Sequence, residues 1–304
     1  MRRQGGVALV LVLWVITLLA VISGNFAFSM RGEAQIAHNQ LLTARAQGRA
    51  DAGVHLAWYE LMKPPTDPRR WQGDGAWHEL AQGDAVVRVA ILDESGKIDL
   101  NTASDALLKG LFKSAGLNDE AGVALLDAIL DWRDRDGLRR ANGAEEEQYR
   151  AAGRNYVPAN APFETVDELQ RVLGMSPELY RRLAPALTVY SRQPGVNAAI
   201  APREVLLAIP GVNPAMVEQY LLQRRDALAA GLKAPPFAGA GAFLGMSTGT
   251  AAYSVRSEAR MADGGVFVRE AVARLSQDPK RPVTILAWGE GEASPVPVAA
   301  MESN

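Results

Sequence analysis

The sequence contains no cysteine, which excludes disulfides, thiolate metal sites and cysteine nucleophiles. Histidine is nearly absent too: the three present are His38, His55 and His78, all in the first quarter and none in a recognisable motif. That leaves little for a zinc enzyme or a Ser–His–Asp hydrolase to be built from. There is no excess of one charge, with 32 basic against 34 acidic residues and a net charge of −2. A dedicated nucleic-acid binder would carry a basic surplus. What is there is 304 residues, 48% apolar and 22% charged, a globular composition with room for one large domain or two ordinary ones.

The strongest local signal is at the amino terminus. Arg2 and Arg3 precede a charge-free stretch from Gln4 to Met30, within which Val7 to Ile22 is apolar apart from Thr17. Phe26, Ala27 and Phe28 extend it, and a helix over 7–28 would run roughly 33 Å, enough to cross a hydrocarbon core. The arginines before the run favour an amino terminus held inside and a chain exported beyond. Three readings fit these residues: a cleaved secretory signal, a plain anchor, and a short basic leader ending at Gly6. From Arg31 to Met62 the chain has no proline and is rich in Ala, Gln, Leu and Arg, so the apolar helix is expected to continue, weakened by Gly32, Gly48 and Gly53. An apolar stem flowing into an amphipathic helix after Arg-Arg-Gln-Gly-Gly resembles a type IV prepilin leader, cut after Gly6 to leave Val7 first. Most such proteins carry glutamate at the fifth mature position; here that residue is Leu11.

Prolines 64, 65 and 68 are expected to end the long helix. Asp84–Leu92 alternates as a strand, followed by a turn at Glu94–Lys97. From Ala103 to about Leu244 the pattern becomes helices separated by Gly/Pro turns. Strand signals return at Ala252–Met261, Val266–Leu275 and Val283–Trp288, with Asp263-Gly264-Gly265 as a hairpin turn. The expected organisation is α+β: a leader at 1–6, a long helix at 7–63 and a head from 64–102 and 249–290. A helical insertion at 103–248 interrupts the sheet, and a disordered tail at 291–304 follows.

Two constellations within the insertion bear on chemistry. Ile98–Ser104 followed by Leu107-Leu108 lines up with Val196–Pro202 followed by Leu206-Leu207, and Glu168–Leu187 has a similar shape. These resemble helix–hairpin–helix units, whose glycine-rich turns can meet phosphate through backbone amides. The second glycine that such contact needs is Asn213 in one copy and Ser176 in another, so packing is the favoured reading and phosphate binding the alternative. The second constellation is acidic: Asp131, Asp134 and Asp136, then Glu145, Glu146 and Glu147, with Asn160 as a further side-chain oxygen. Carboxylates without His or Cys suit a hard cation. An EF-hand fails, because Gly137 at its sixth position would put Trp132 at the first and Gly143 at the twelfth. A solvated helix end, or salt bridges to Arg133, Arg135, Arg139 and Arg140, would explain the same residues. Acid–base catalysis has no substrate pocket in the sequence to support it.

The whole layout resembles the K minor pseudopilin of type II secretion (general secretion pathway protein K). Lys97–Asn101 matches that family's segment leading into the insertion; Asp131–Asp136 followed by Gly143-Ala144-Glu145 matches its acidic segment. Among the pilin-like subunits of type II secretion, K is the one lacking the fifth-position acid, so Leu11 strengthens the likeness and implies a place at the filament tip. The resemblance implies a pilin-like head with a large all-α insertion and a non-enzymatic role supporting secretion across the outer membrane. Prepilin peptidase would cut after Gly6 and methylate Val7. It further implies an inner-membrane anchor with a periplasmic head, minor pseudopilins I and J as partners above the major pseudopilin filament, and no nucleic acid. Calcium is the implied cofactor, with Asp131, Asp134, Asp136, Glu145, Glu147 and Asn160 as candidate ligands. An exported DNA receptor of the competence type is the alternative function.

Overall fold

The computed structural model describes residues 5–64, 66–238, 241–245, 251–276 and 278–293. The leader residues 1–4 and the tail expected from 291, beyond residue 293, lie outside the described residues. Helix α1 runs from Gly5 to Met62, stopping just before the prolines. From Ala8 to Leu41 its described side chains are exposed, Leu9, Leu11, Trp14, Phe26 and Ile36 among them. This is one helix long and apolar enough to cross a membrane.

From Ala46 onward α1 changes character. Ala46, Ala50, Val54, Ala57, Trp58 and Leu61 are buried, a three-to-four residue spacing that lays one face on a sheet. That sheet is antiparallel, with β1 (Asp74–Gln82), β2 (Ala85–Asp93), β5 (Ala252–Met261), β6 (Val266–Leu275) and β7 (Val283–Glu290) side by side in that order. The three strands after the insertion and the hairpin turn at Gly264 (φ 96°) lie where the alternation placed them. β1 was not expected. Its exposure alternates only between open and half-buried, so its sequence carries no apolar face to read. Five strands therefore form the sheet rather than four.

The small residues on α1 have a packing reason that helix propensity does not reveal. A Cβ at Gly53 would lie 2.2 Å from Ser257 Oγ and 3.0 Å from methyl groups of both Val87 and Val89, whereas one at Gly48 would meet nothing within 4 Å. Gly48→Ala is therefore expected to stabilise by about 0.5–1 kcal/mol through backbone entropy. Gly53→Ala should lose about 1–3 kcal/mol, because the stiff valines cannot retreat. Denaturant unfolding of the two variants reads the difference in sign; stabilisation by both would contradict this helix–sheet packing. A second fastening is Arg269 on β6, buried against α1 with its Nε 2.6 Å from Asp51 Oδ1 and its guanidinium over Phe267 and Trp288 at 4.9 and 5.0 Å.

The insertion has its own core. Two short parallel strands, β3 (Ile98–Asp99) and β4 (Leu187–Thr188), sit among helices α2 (Asp105–Ser114), α3 (Asp119–Arg133), α4 (Glu146–Ala151), α5 (Pro177–Leu183), α6 (Arg203–Leu207) and α7 (Pro214–Ala229). Ile98, Leu107, Leu111, Phe112, Leu126, Ile129, Leu183 and Leu206 fill one continuous apolar cluster. The Lys97–Asn101 segment locks the entry to this domain. Asp99 is buried and accepts from the backbone N–H of Asn101 (2.9 Å) and Arg192 (2.8 Å), so the start of the insertion is tied to a point 93 residues later. Asn101 exchanges two hydrogen bonds with the backbone of Phe163, at 2.8 and 2.9 Å.

Candidate functional site

The segment between α3 and α4 carries the acidic cluster, and the structure divides it. Asp131 lies on the last turn of α3, fully buried. Its carboxylate accepts from the Arg140 backbone N–H at 3.3 and 3.2 Å and lies 3.3 Å from Arg140 Nε. Asp134 caps the carboxyl end of α3, and its Oδ2 accepts from Arg140 Nη2 at 3.4 Å. Of the four arginines named above, Arg140 is thus the one bridging two of the acids. Arg133 instead donates to the Leu100 carbonyl. Asp136 is spent locally, its Oδ1 accepting from Leu138 N at 2.9 Å in a tight turn.

Glu145, Glu147 and Asn160 come together elsewhere, around an open cavity of about 430 Å³ that Gly137, Arg139, Glu146 and Pro158 also line. Asn160 reaches it from a turn with φ 48°, a left-handed conformation that asparagine tolerates. Glu145 joins the two groups. It is 8% exposed, and burial pushes its carboxyl up, with the charges of Asp131, Asp134 and Asp136 adding to the push. Burial raises Asp131 and Asp134 as well, Asp134 further through Asp136.

Two oxygens in this region are buried without a hydrogen-bond partner: Asp134 Oδ1 and Glu145 Oε1. Buried carboxylate oxygens are nearly always satisfied, so a pair left open asks for a donor or a cation. All the donors here are oxygens, as calcium requires. Among the described residues, no three His, Asp or Glu side chains stand in a metal-holding arrangement. The donor chemistry fits a hard cation, and the carboxylates would have to draw together to hold one.

Residues outside the candidate set shape this loop. Asp127 Oδ2 accepts from both the backbone and side-chain nitrogens of Asn142, at 3.1 and 3.2 Å. A Cβ at Gly143 would fall 2.0 Å from Asp131 Oδ2, so the glycine makes room for the buried carboxylate. Gly143 stands in the motif read from the sequence, and this crowding is what it signals. Trp132, Tyr149 and Phe163 pack beside the loop, with ring centroids 5.9 and 6.2 Å from Trp132.

The hairpin repeats share one construction. Gly116, Gly174 and Gly211 hold φ of 89°, 89° and 82°, and each is followed two residues later by a helix cap. Asn118, Ser176 and Asn213 accept from the backbone N–H of Ala121, Leu179 and Met216 at 2.8, 3.2 and 3.0 Å. The first partner helix of the middle unit is a 3₁₀ turn at Val166–Arg171 rather than an α-helix. In each unit the cap side chain takes a helix-terminal amide that a phosphate would otherwise meet.

A long helix whose carboxyl-terminal third lies on a small antiparallel sheet, with a mostly helical domain carrying the short β3–β4 pair inserted between strands, defines a pilin-like fold of the α+β class. The family profile for the type II secretion system (T2SS) protein K matches residues 85–192, from β2 to the Arg192 that closes on Asp99. Type II secretion system protein K of Aeromonas hydrophila is 30% identical over 220 residues, 60% of this chain and 63% of that protein. The Pseudomonas aeruginosa protein K is 28% identical over 242 residues, 72% of each chain. The crystal structure of the GspK–GspI–GspJ complex from the enterotoxigenic Escherichia coli type 2 secretion system contains a chain of the same fold. Its TM-score is 0.57 at 15% identity, covering 87% of this chain and 99% of that one. Over these stretches the chain is similar to protein K of type II secretion systems.

Proposed function

We propose that this chain is a non-enzymatic minor pseudopilin that caps the tip of a periplasmic pseudopilus with minor pseudopilins I and J, above the major pseudopilin, and so supports secretion across the outer membrane. The observation carrying this reading is the division of α1. From Ala8 to Leu41, its apolar run up to Met30 included, the described helix is exposed, while the part from Ala46 is fastened to the head. A bare apolar helix of that kind needs a membrane or neighbouring helices to cover it. Leu11 lies within the bare part, 60% exposed and without charge, so it has nothing to neutralise the amino terminus of a subunit above. The inserted domain adds bulk to the head, which suits a subunit with no successor. The family resemblance supports I and J as partners, and the complex named for the related chain contains proteins of those names.

Gly6 and Val7 fall in the first turn of α1. In this reading prepilin peptidase cuts between them and methylates the Val7 amine, and the helix holds the protein in the inner membrane with the head in the periplasm. Amino-terminal sequencing and intact mass of the protein purified from membranes are expected to give methylated Val7. A start at Met30 would make it a secreted protein, and a start at Met1 an anchored one; either result overturns the pseudopilin reading. Co-expression of the full chain with subunits I and J should yield a ternary complex, and failure to co-purify either refutes the tip assignment. The DNA-receptor alternative rests on the hairpins, whose caps are already taken by Asn118, Ser176 and Asn213. The purified chain should not retard duplex DNA at physiological salt, whereas a salt-sensitive shift would favour that alternative.

Calcium belongs to the same proposal. Asp134 and Glu145, with the unpartnered oxygens, would hold it, and Asp131, Asp136, Glu147 and Asn160 are the remaining candidate ligands. The ion would supply positive charge to a crowded acidic loop and fix α3 relative to α4.

A further inference from the structure

The acidic loop already contains a cation of its own. Arg140 approaches Asp131 through Nε at 3.3 Å and Asp134 through Nη2 at 3.4 Å, while its backbone N–H separately holds the Asp131 carboxylate. Asp131 is 0% exposed, and a carboxylate so deeply buried is costly unless an opposite charge lies beside it. Arg140 itself is different: its side chain is 44% exposed, so the guanidinium is free to swing into water. Beside it, Asp134 Oδ1 and Glu145 Oε1 remain buried and unmatched, so one guanidinium does not satisfy the whole cluster.

We propose that Arg140 is the internal counter-ion of this site, holding Asp131 and Asp134 while no metal is bound and releasing Asp134 when a hard divalent cation arrives. This rests on the reading that the cluster takes calcium. A dication bound to Asp134 would sit close to a guanidinium on the same carboxylate, and like charges at that range in a partly desolvated loop repel strongly. Asp131 stays anchored even when the side chain swings away, because the Arg140 backbone N–H holds its carboxylate. Arg140 thus lowers calcium affinity in return for order in the metal-free loop, and so sets the calcium concentration at which the insertion changes state.

The test is calorimetric calcium titration, together with melting in chelator and in calcium, of the purified full chain in detergent, comparing wild type, Arg140→Gln and Arg140→Lys. Arg140→Gln should melt lower than wild type in chelator and bind calcium about tenfold tighter, as expected when a neighbouring positive charge is removed. Its melting in calcium should approach that of the wild type. Arg140→Lys keeps the charge without the two-pronged reach, and guards against a misfolded glutamine variant. It should bind calcium no tighter than wild type. If wild type binds calcium but Arg140→Gln binds it equally or more weakly, or melts lower by the same amount in both conditions, Arg140 is only a structural contact and the inference fails while the site stands. If neither wild type nor variant responds to calcium, the site reading fails and this inference with it.

Discussion

Gly110→Ala is expected to cost about 3 kcal/mol or more, a larger loss than other glycine substitutions in the insertion. Gly110 lies in α2 where that helix crosses the end of α6, and a Cβ there would stand 1.8 Å from the Ala208 carbonyl oxygen and 2.8 Å from its carbon. The obstacle is backbone, so no rotamer change relieves it. Alanine would favour the helix by about 1 kcal/mol on propensity alone, which makes a net loss diagnostic of the crossing. Parting the helices would open space among Leu107, Leu111, Leu206 and Ile209, all buried in one cluster, and lost contact there adds to the strain. Gly122→Ala in α3 is the control, because its Cβ would meet only Phe112 Cβ at 3.9 Å. Denaturant unfolding of the full chain should show Gly110→Ala strongly destabilised and Gly122→Ala at or above wild type. Equal behaviour of the two would mean that α2 and α6 do not cross this closely.

Much of this architecture was legible in the sequence where one physical signal ruled. The end of α1 followed from the prolines after it, and β5, β6 and β7 from alternation broken by a glycine turn. β1 was not legible, because an edge strand with one half-buried face has no apolar stripe, and its pairing with β2 is irregular between Asp74 and Trp77. Gly53 reads as a flaw in its helix because the neighbours that exclude a side chain lie far away in sequence. The acidic residues were legible as a set. Their separation into an Arg140-bridged pair and a group around a cavity was not, since the choice among four nearby arginines depends on how the loop folds back. Leu11 is set apart in the sequence only by its count from Gly6, as no local property of a leucine in an apolar helix distinguishes it.

Removing calcium is expected to lower the melting temperature of the full chain in detergent by several degrees. An ion bound only by the folded state stabilises it by RT ln(1 + [L]/Kd), about 2.7 kcal/mol at a hundredfold excess over Kd. In a chain of this size that corresponds to several degrees. The source of the effect is visible in the acids themselves. Asp131, Asp134 and Glu145 are all pushed up by burial, and Glu145 feels three neighbouring carboxylates, so the metal-free loop carries repulsion that a dication would cancel. The pH dependence follows with a definite sign. Acids whose folded pKa is raised bind protons more readily in the folded state, so in chelator their contribution to stability should be present at low pH and lost as pH rises through the raised values. Calcium should reverse this trend, because it binds the ionised form. Magnesium should substitute poorly, since it demands octahedral geometry and keeps its waters. Glu145→Gln removes charge while preserving shape and has no arginine partner to lose, so it should melt at or above wild type in chelator and gain less from calcium; Asp134→Asn should likewise gain less from calcium. A melting curve unmoved by chelator, or a Glu145→Gln variant that gains as much from calcium as wild type, would reduce the cluster to a charged turn held by Arg140.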